Sequence, residues 1–171
     1  MQELKSIIRD IPDFPKKGII FRDITPLLQR PETFSMAIDK IADNYKNTEI
    51  DLVLGAEARG FILGGALAYK LGAGFVPARK PGKLPYAVTK SIYNLEYGND
   101  ALEIHEDAIH KNHRVLIVDD VLATGGTAGA KVELTQKSGG IVVGIAFLIE
   151  LVFLGGREKL ADFDIFSLIK Y

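Results

Sequence analysis

The sequence predicts an α/β protein built on a mainly parallel central sheet flanked by helices. Short branched apolar runs bounded by glycine recur along the chain, and segments of helical periodicity or composition separate them. Strands alternating with helices imply right-handed crossovers, hence strands that run the same way. One apolar run also drives straight into two adjacent aspartates and a small-residue turn. That is where open parallel sheets bind ligands, beyond the carboxyl ends of their strands.

Each element has its own justification. Phe34, Ile38, Ile41 and Tyr45 fall at spacings of four, three and four, one face of a helix. Residues 50–55, Ile-Asp-Leu-Val-Leu-Gly, read as a buried strand with a glycine stop. Residues 60–71 are rich in alanine and leucine, and Gly72 stands where a helix would end. Residues 75–78 and 114–118 read as strands. Residues 127–137 suit a helix that Ser138, Gly139 and Gly140 terminate. The most strand-like segment is 141–149, and 164–168 is a last strand. Glu150 interrupts the long apolar run around it, so that run reads as a strand leading into a turn, not a membrane span.

With 171 residues and neither an internal repeat nor a low-complexity tract, the chain reads as one domain, 1–171. Hydrophobic residues at 47% and charged residues at 25% describe a globular chain rather than a disordered one. A net charge of −1 offers no bulk attraction to nucleic acid or an anionic membrane. The absence of cysteine excludes disulfides and thiolate metal sites. The first residues lack the apolar core of a secretory signal, so a cytoplasmic location is the expectation.

The chemistry concentrates in "VLIVDDVLATGGT", residues 115–127. Neighbouring carboxylates at a strand end repel each other and lose hydration when buried. They persist there when a ligand supplies hydrogen-bond donors, and a ribose offers two adjacent hydroxyls. The turn beyond has the opposite polarity: small residues expose successive amide N–H groups, and the following helix points its positive end the same way. A phosphate fits there. Sugar hydroxyls beside a phosphate describe a ribose 5-phosphate. The segment is not a Walker loop, since G-x-x-x-x-G-K-[ST] does not occur.

That segment resembles the phosphoribosyl diphosphate signature of the type I phosphoribosyltransferases. "IPDFPKKGIIFRDITPLL", "GAEARGFILGGALA", "RKPGKLP", "YNLEYGNDALEIHEDAI" and "IELVFLGGREKL" resemble the family's adenine-using branch, in the family's order, over nearly the whole chain. The resemblance implies transfer of ribose 5-phosphate from phosphoribosyl diphosphate to adenine, giving AMP and diphosphate in purine salvage. It implies the type I fold, with a small hood made from about residues 1–30.

By resemblance, Asp119 and Asp120 hold the ribose hydroxyls, and Ala123, Thr124, Gly125, Gly126 and Thr127 hold the 5-phosphate. "GAEARG" is similar to the diphosphate loop, with Arg59 on the leaving group and a cis peptide between Glu57 and Ala58. Lys80 and Lys83 of the basic turn reach the diphosphate, in some members that of the neighbouring subunit. "YNLEYGND" is similar to the mobile catalytic loop, bringing Glu96 and Tyr97 to the reacting centre, with Glu96 handling a proton. Phe21 lies against the purine, backbone groups of Ile20 and Arg22 read its edge, and Leu151 lines the pocket. Magnesium is held mainly by substrate oxygens and water rather than by direct protein ligands. His105, His110 and His113 read as surface residues. A homodimer is implied.

Two other readings stand beside this one. Another purine phosphoribosyltransferase, using hypoxanthine, guanine or xanthine, would share the ribose and phosphate residues. A silent relative that binds phosphoribosyl diphosphate and regulates transcription would need a DNA-binding module; the likeness begins by Ile11, and the net charge is slightly negative.

Overall fold

The computed structural model describes residues 2–95 and 98–171. The chain opens with α1 (Gln2–Ile7), an antiparallel hairpin of β1 (Arg9–Pro12) and β2 (Ile20–Asp23), and the single turn α2 (Thr25–Leu28). Then follow α3 (Pro31–Asn44), β3 (Leu52–Ala56), α4 (Arg59–Leu71) and β4 (Gly74–Ala78). A second antiparallel hairpin joins β5 (Val88–Leu95) to β6 (Gly98–His105). The last part holds β7 (Arg114–Leu122), α5 (Gly126–Lys137), β8 (Ile141–Glu150), two short 3-10 turns, and β9 (Ile165–Lys170).

Five strands form one sheet in the order β4-β3-β7-β8-β9, every pairing parallel. These are the five apolar runs read from the sequence. Their side chains alternate between two buried faces, which is why the runs are continuously apolar rather than patterned. Leu116 and Val118 of β7 point to the face covered by α3 and α4, packing with Ile38, Ile41, Leu63 and Leu67. Val115 and Ile117 point to the other face, against Ala130 and Leu134 of α5 and Leu102 and Ile104 of β6.

Helix boundaries follow local chemistry. Pro31 starts α3, where its fixed φ is already helical and its missing N–H is not needed. Ile38 and Ile41 are the buried face of that helix, and Tyr45 caps it, buried. Gly72, at φ 68°, ends α4 in the left-handed conformation that glycine tolerates best.

The structure extends two of the expected elements in informative ways. β7 continues through Asp119 and Asp120 to Leu122, four residues beyond the expected stop at Val118. Of the segment "YNLEYGND", Tyr93, Asn94 and Leu95 lie on β5 and pair with Asp100, Asn99 and Gly98 of β6. The hairpin base is tied to α5: the Ser91 hydroxyl donates to Glu133, and the Lys137 ammonium to the Lys90 carbonyl.

Because Ile117 sits in the middle of the central strand, fully buried between Leu54 and Ile145, Ile117→Ala should remove about 2–5 kcal/mol of stability. For a chain this size the melting temperature should fall by roughly 5–15 °C in calorimetry. A drop under two degrees would mean that the sheet interior relaxes around the gap.

Candidate functional site

β7 outruns its neighbour on one side. Its ladder with β3 ends at Val118, opposite Gly55, while the ladder with β8 continues to Leu122. The two aspartates therefore stand on an overhang. Consecutive strand residues face opposite ways, so the carboxylates leave on different faces. Asp119 goes towards α5, where Lys131 Nζ lies 2.6 Å from its Oδ2. Asp120 goes towards α4, where Arg59 Nε lies 2.7 Å from its Oδ2. That ion pair lacks hydrogen-bond alignment, and among the described residues the buried Oδ2 accepts no hydrogen bond. Burial, then the neighbouring Asp119 charge, pushes the Asp120 carboxyl up to about 6; Arg59 and Lys131 oppose the rise.

Next comes the turn. Ala123, Thr124, Gly125, Gly126 and Thr127 line a cavity of about 60 Å³ together with Asp119 and Phe147. Gly125 sits at φ 82° immediately before α5, so the helix begins at the cavity wall, where its first turn has amide N–H groups without helical partners. A side chain at Gly125 would also come within 2.6 Å of the Gly156 carbonyl oxygen. A Cβ on Gly156 would in turn overlap the Ala123 carbonyl oxygen. Turn and 3-10 segment thus meet backbone to backbone, which only glycines allow.

The β3–α4 loop carries Glu57, and the Glu57–Ala58 peptide is cis. Glu57 gathers the cations of the basic turn. Its Oε1 accepts the Lys80 amide N–H at 2.6 Å, and its Oε2 accepts from Lys83 Nζ at 2.9 Å and Arg79 at 3.4 Å. Burial works to raise the Glu57 carboxyl, but these donors outweigh it and leave it below the usual range. The Lys80 ammonium pairs instead with Asp100 on β6. That contact, the larger influence on each partner, raises the lysine and lowers the carboxyl. Tyr93 also donates to Asp100, at 3.3 Å.

On β2, Ile20 is exposed, while Phe21 and Arg22 are half-buried. The Arg59 guanidinium sits 5.0 Å from the Phe21 ring centroid, and Phe14 meets that ring edge-on at 5.2 Å. Arg59 therefore bridges Phe21 and Asp120. Arg22 lies over the Tyr171 ring at 3.9 Å. The Tyr171 backbone bonds to Glu150 and Val152 on either side of Leu151, and Leu151 N–H donates to the Leu122 carbonyl, fixing Leu151 beside the end of β7.

Of the residues expected at the site, the structure thus joins Phe21, Arg59, Asp120, Asp119 and the 123–127 turn into one chain of contacts. Lys80 and Lys83 lie on the neighbouring turn, linked through Glu57. Glu96 and Tyr97 lie outside the described residues. Among the described residues no three His, Asp or Glu side chains converge to hold a metal ion. Nor is any helix long and apolar enough to cross a membrane. Two histidines correct their surface reading: His105 and His113 are half-buried, His105 because it lies on β6 with its ring edge-on to Tyr86 at 5.9 Å, and His113 just before β7 with its ring 5.2 Å from that of His110. Sequence reasoning missed Glu57, Lys131, Gly156 and Tyr171. A lone lysine in a helix reads as surface; only the register of α5 on β7, invisible in sequence, turns it inward.

The pattern that describes phosphoribosyl transferase domains matches residues 27–168. An adenine phosphoribosyltransferase from Solibacter usitatus is 59% identical over 171 residues, covering 100% of this chain and 99% of that protein. The crystal structure of adenine phosphoribosyltransferase from Thermoanaerobacter pseudethanolicus superposes with a TM-score of 0.97 at 55% identity, covering 99% of both chains. That of the Saccharomyces cerevisiae enzyme, complexed with adenine and an imino-altritol bisphosphate, gives 0.92 at 42% identity, covering 98% of this chain and 97% of that one.

The raised Asp120 carboxyl makes stability pH-dependent. The folded state holds that proton up to about pH 6, whereas the unfolded chain releases it near 3.8. The contribution is present below the lower value and lost as pH rises through the upper one, by roughly 3 kcal/mol. Asp120→Asn should therefore melt above wild type at pH 7, with the gap closing by pH 4; a variant less stable at pH 7 would contradict this. Gly156→Ala should destabilise by about 2–3 kcal/mol and lower the melting temperature by roughly 5–10 °C. An unchanged melt would show that the turn yields.

Proposed function

The chain belongs to the phosphoribosyltransferase family, and from that premise we infer that it is an adenine phosphoribosyltransferase, transferring ribose 5-phosphate from phosphoribosyl diphosphate to adenine with release of diphosphate. The observation that carries the sugar half of this reading is the adjacency of two buried carboxylates and a cavity lined by the 123–127 turn. Adenine as acceptor comes from the full-length relatives.

On this reading the whole chain acts as one domain whose first thirty or so residues hood the base. The 5-phosphate lies on the amides of residues 123–127, and the ribose hydroxyls donate to Asp119 and Asp120. Adenine stacks on Phe21, with Ile20 and Arg22 main-chain groups at its edge and Leu151 opposite. Arg59, Lys80 and Lys83 meet the diphosphate. An adenine ring nitrogen forms the new C–N bond at the anomeric carbon as the C–O bond to diphosphate breaks. The diphosphate leaves with that electron pair, and Glu96 takes the proton from the imidazole edge. Tyr97 accompanies Glu96 as their loop closes over the sugar and excludes water. Positive charge developing on the ribose favours the adjacent carboxylates, so catalysis is mainly positioning and electrostatics.

Magnesium suits these residues as a substrate-borne ion. Asp120 Oδ2 is a buried acceptor that is ion-paired with Arg59 but, among the described residues, accepts no hydrogen bond, so it is able to take a ribose hydroxyl or a magnesium-bound water. When bound, the ion neutralises charge on the departing diphosphate. The enzyme works in the cytoplasm as a homodimer, with the basic turn near the partner's site.

The test is a base-selectivity assay with magnesium present. Adenine should give AMP at least about 100-fold faster than hypoxanthine, guanine or xanthine, the discrimination expected when purine-edge hydrogen bonds are satisfied or left unpaired. Failure to form AMP, or a preference for another base, would overturn the assignment. Chelation by EDTA should abolish turnover. Glu96→Gln should lower kcat by about 100-fold or more, the range for a general base, with little change in the KM for phosphoribosyl diphosphate. A fully active variant would remove Glu96 from the mechanism.

A further inference from the structure

Lys131 is the least expected side chain of the molecule. It is completely buried, on the sixth residue of α5, with Nζ 2.6 Å from Asp119 Oδ2 and donating to the Val118 carbonyl at 2.9 Å. Burying an ammonium is expensive, and a buried ion pair is weak evidence for stability, since apolar replacements of the whole pair are often neutral or better. Something other than stability accounts for the placement.

The geometry of Asp119 suggests what. Its Oδ1 accepts the Asp120 amide N–H at 3.1 Å, and its Oδ2 accepts from Lys131. An ionised carboxylate has about four acceptor positions, so roughly two remain for incoming donors. The side chain is therefore held in one rotamer with capacity to spare. Lys131 also ties the helix to the strand. The N-terminus of α5 frames the amide cavity, while its sixth residue grips β7 at Val118 and Asp119. The carboxylate and the cradle are thereby set at one separation.

We infer that Lys131 is a positioning residue for transfer: its ammonium locks the Asp119 carboxylate towards the ribose, and supplies the charge that lets two adjacent carboxylates share a dry strand end. This rests on the assignment of Asp119 and Asp120 as ribose ligands. The charged groups that bear on the pair are Lys131 from α5 and Arg59 from α4. The neighbouring residues on β8, Phe147 and Ile149, are uncharged.

Lys131→Met keeps the length and apolar stem while removing the charge. Because Lys131 opposes the rise of the Asp120 carboxyl, its loss pushes that group higher. The acid limb of kcat/KM for phosphoribosyl diphosphate should move up by about one pH unit, the scale set by one nearby opposite charge. At pH 7 the KM for phosphoribosyl diphosphate should rise about tenfold, the equivalent of one such unit, and the KM for adenine should change less than about twofold. A variant with the wild-type acid limb and unchanged KM for phosphoribosyl diphosphate overturns the inference, as does an equal rise in both KM values. Wild-type enzyme that fails to use phosphoribosyl diphosphate at all would instead sink the underlying assignment. Should Lys131→Met be unfolded at pH 7.5, circular dichroism at pH 5 decides. Recovery there supports the inference, because the defect is an unpaired carboxylate that protonation relieves; a variant equally unfolded at both pH values overturns it.

Discussion

Two carboxylates on consecutive strand residues leave on opposite faces of the sheet, and each must find its own counter-charge. That constraint organises the site. The face of Asp120 belongs to α4, which opens with Arg59; the face of Asp119 belongs to α5, which carries Lys131. The overhang of β7 past β3 places both aspartates beyond the end of the β3 ladder. The rest follows the same rule of paired charge. Arg79 and Lys83 meet Glu57, and Lys80 meets Asp100. On the proposed reading, a diphosphate entering this region would exchange carboxylate partners for phosphate ones, so the site would need no large net charge to receive a polyanion.

The same arrangement explains why the site is destabilising by construction. Asp120 is buried beside a like charge, and its carboxyl is held far above its usual range. Gly125 and Gly156 exchange side-chain packing for close backbone contact. Such features persist where function needs them and are offset elsewhere. Here the offset lies in a sheet whose central strands are apolar on both faces, with Val115, Leu116, Ile117 and Val118 all fully buried.

Much of this was legible in sequence because it is local. A five-strand parallel sheet shows as five short apolar runs, one of them ended by Gly55, and α3 shows as the spacing of Ile38 and Ile41. The aspartate pair and the glycine turn announce their polarity within thirteen residues. What could not be read depends on contacts between segments far apart in the chain. The extension of β7 to Leu122 is stabilised by β8, so an isolated reading stops at the first charge. The pairing of Ser91 with Glu133, 42 residues apart, turns an apparent loop into a rooted hairpin. Tyr171 bonding on either side of Leu151 unites the C-terminus with β8, and no short pattern encodes that.

The claim at the centre is that the Asp119–Asp120 overhang and the adjoining amide turn hold one ribose 5-phosphate. A crystal structure with AMP tests it most directly. The account predicts the phosphate on the amides of Ala123, Thr124, Gly125, Gly126 and Thr127, both ribose hydroxyls donating to the two carboxylates, and the purine against Phe21. AMP bound with its phosphate on the Glu57 loop, or with its ribose turned away from both aspartates, would contradict it.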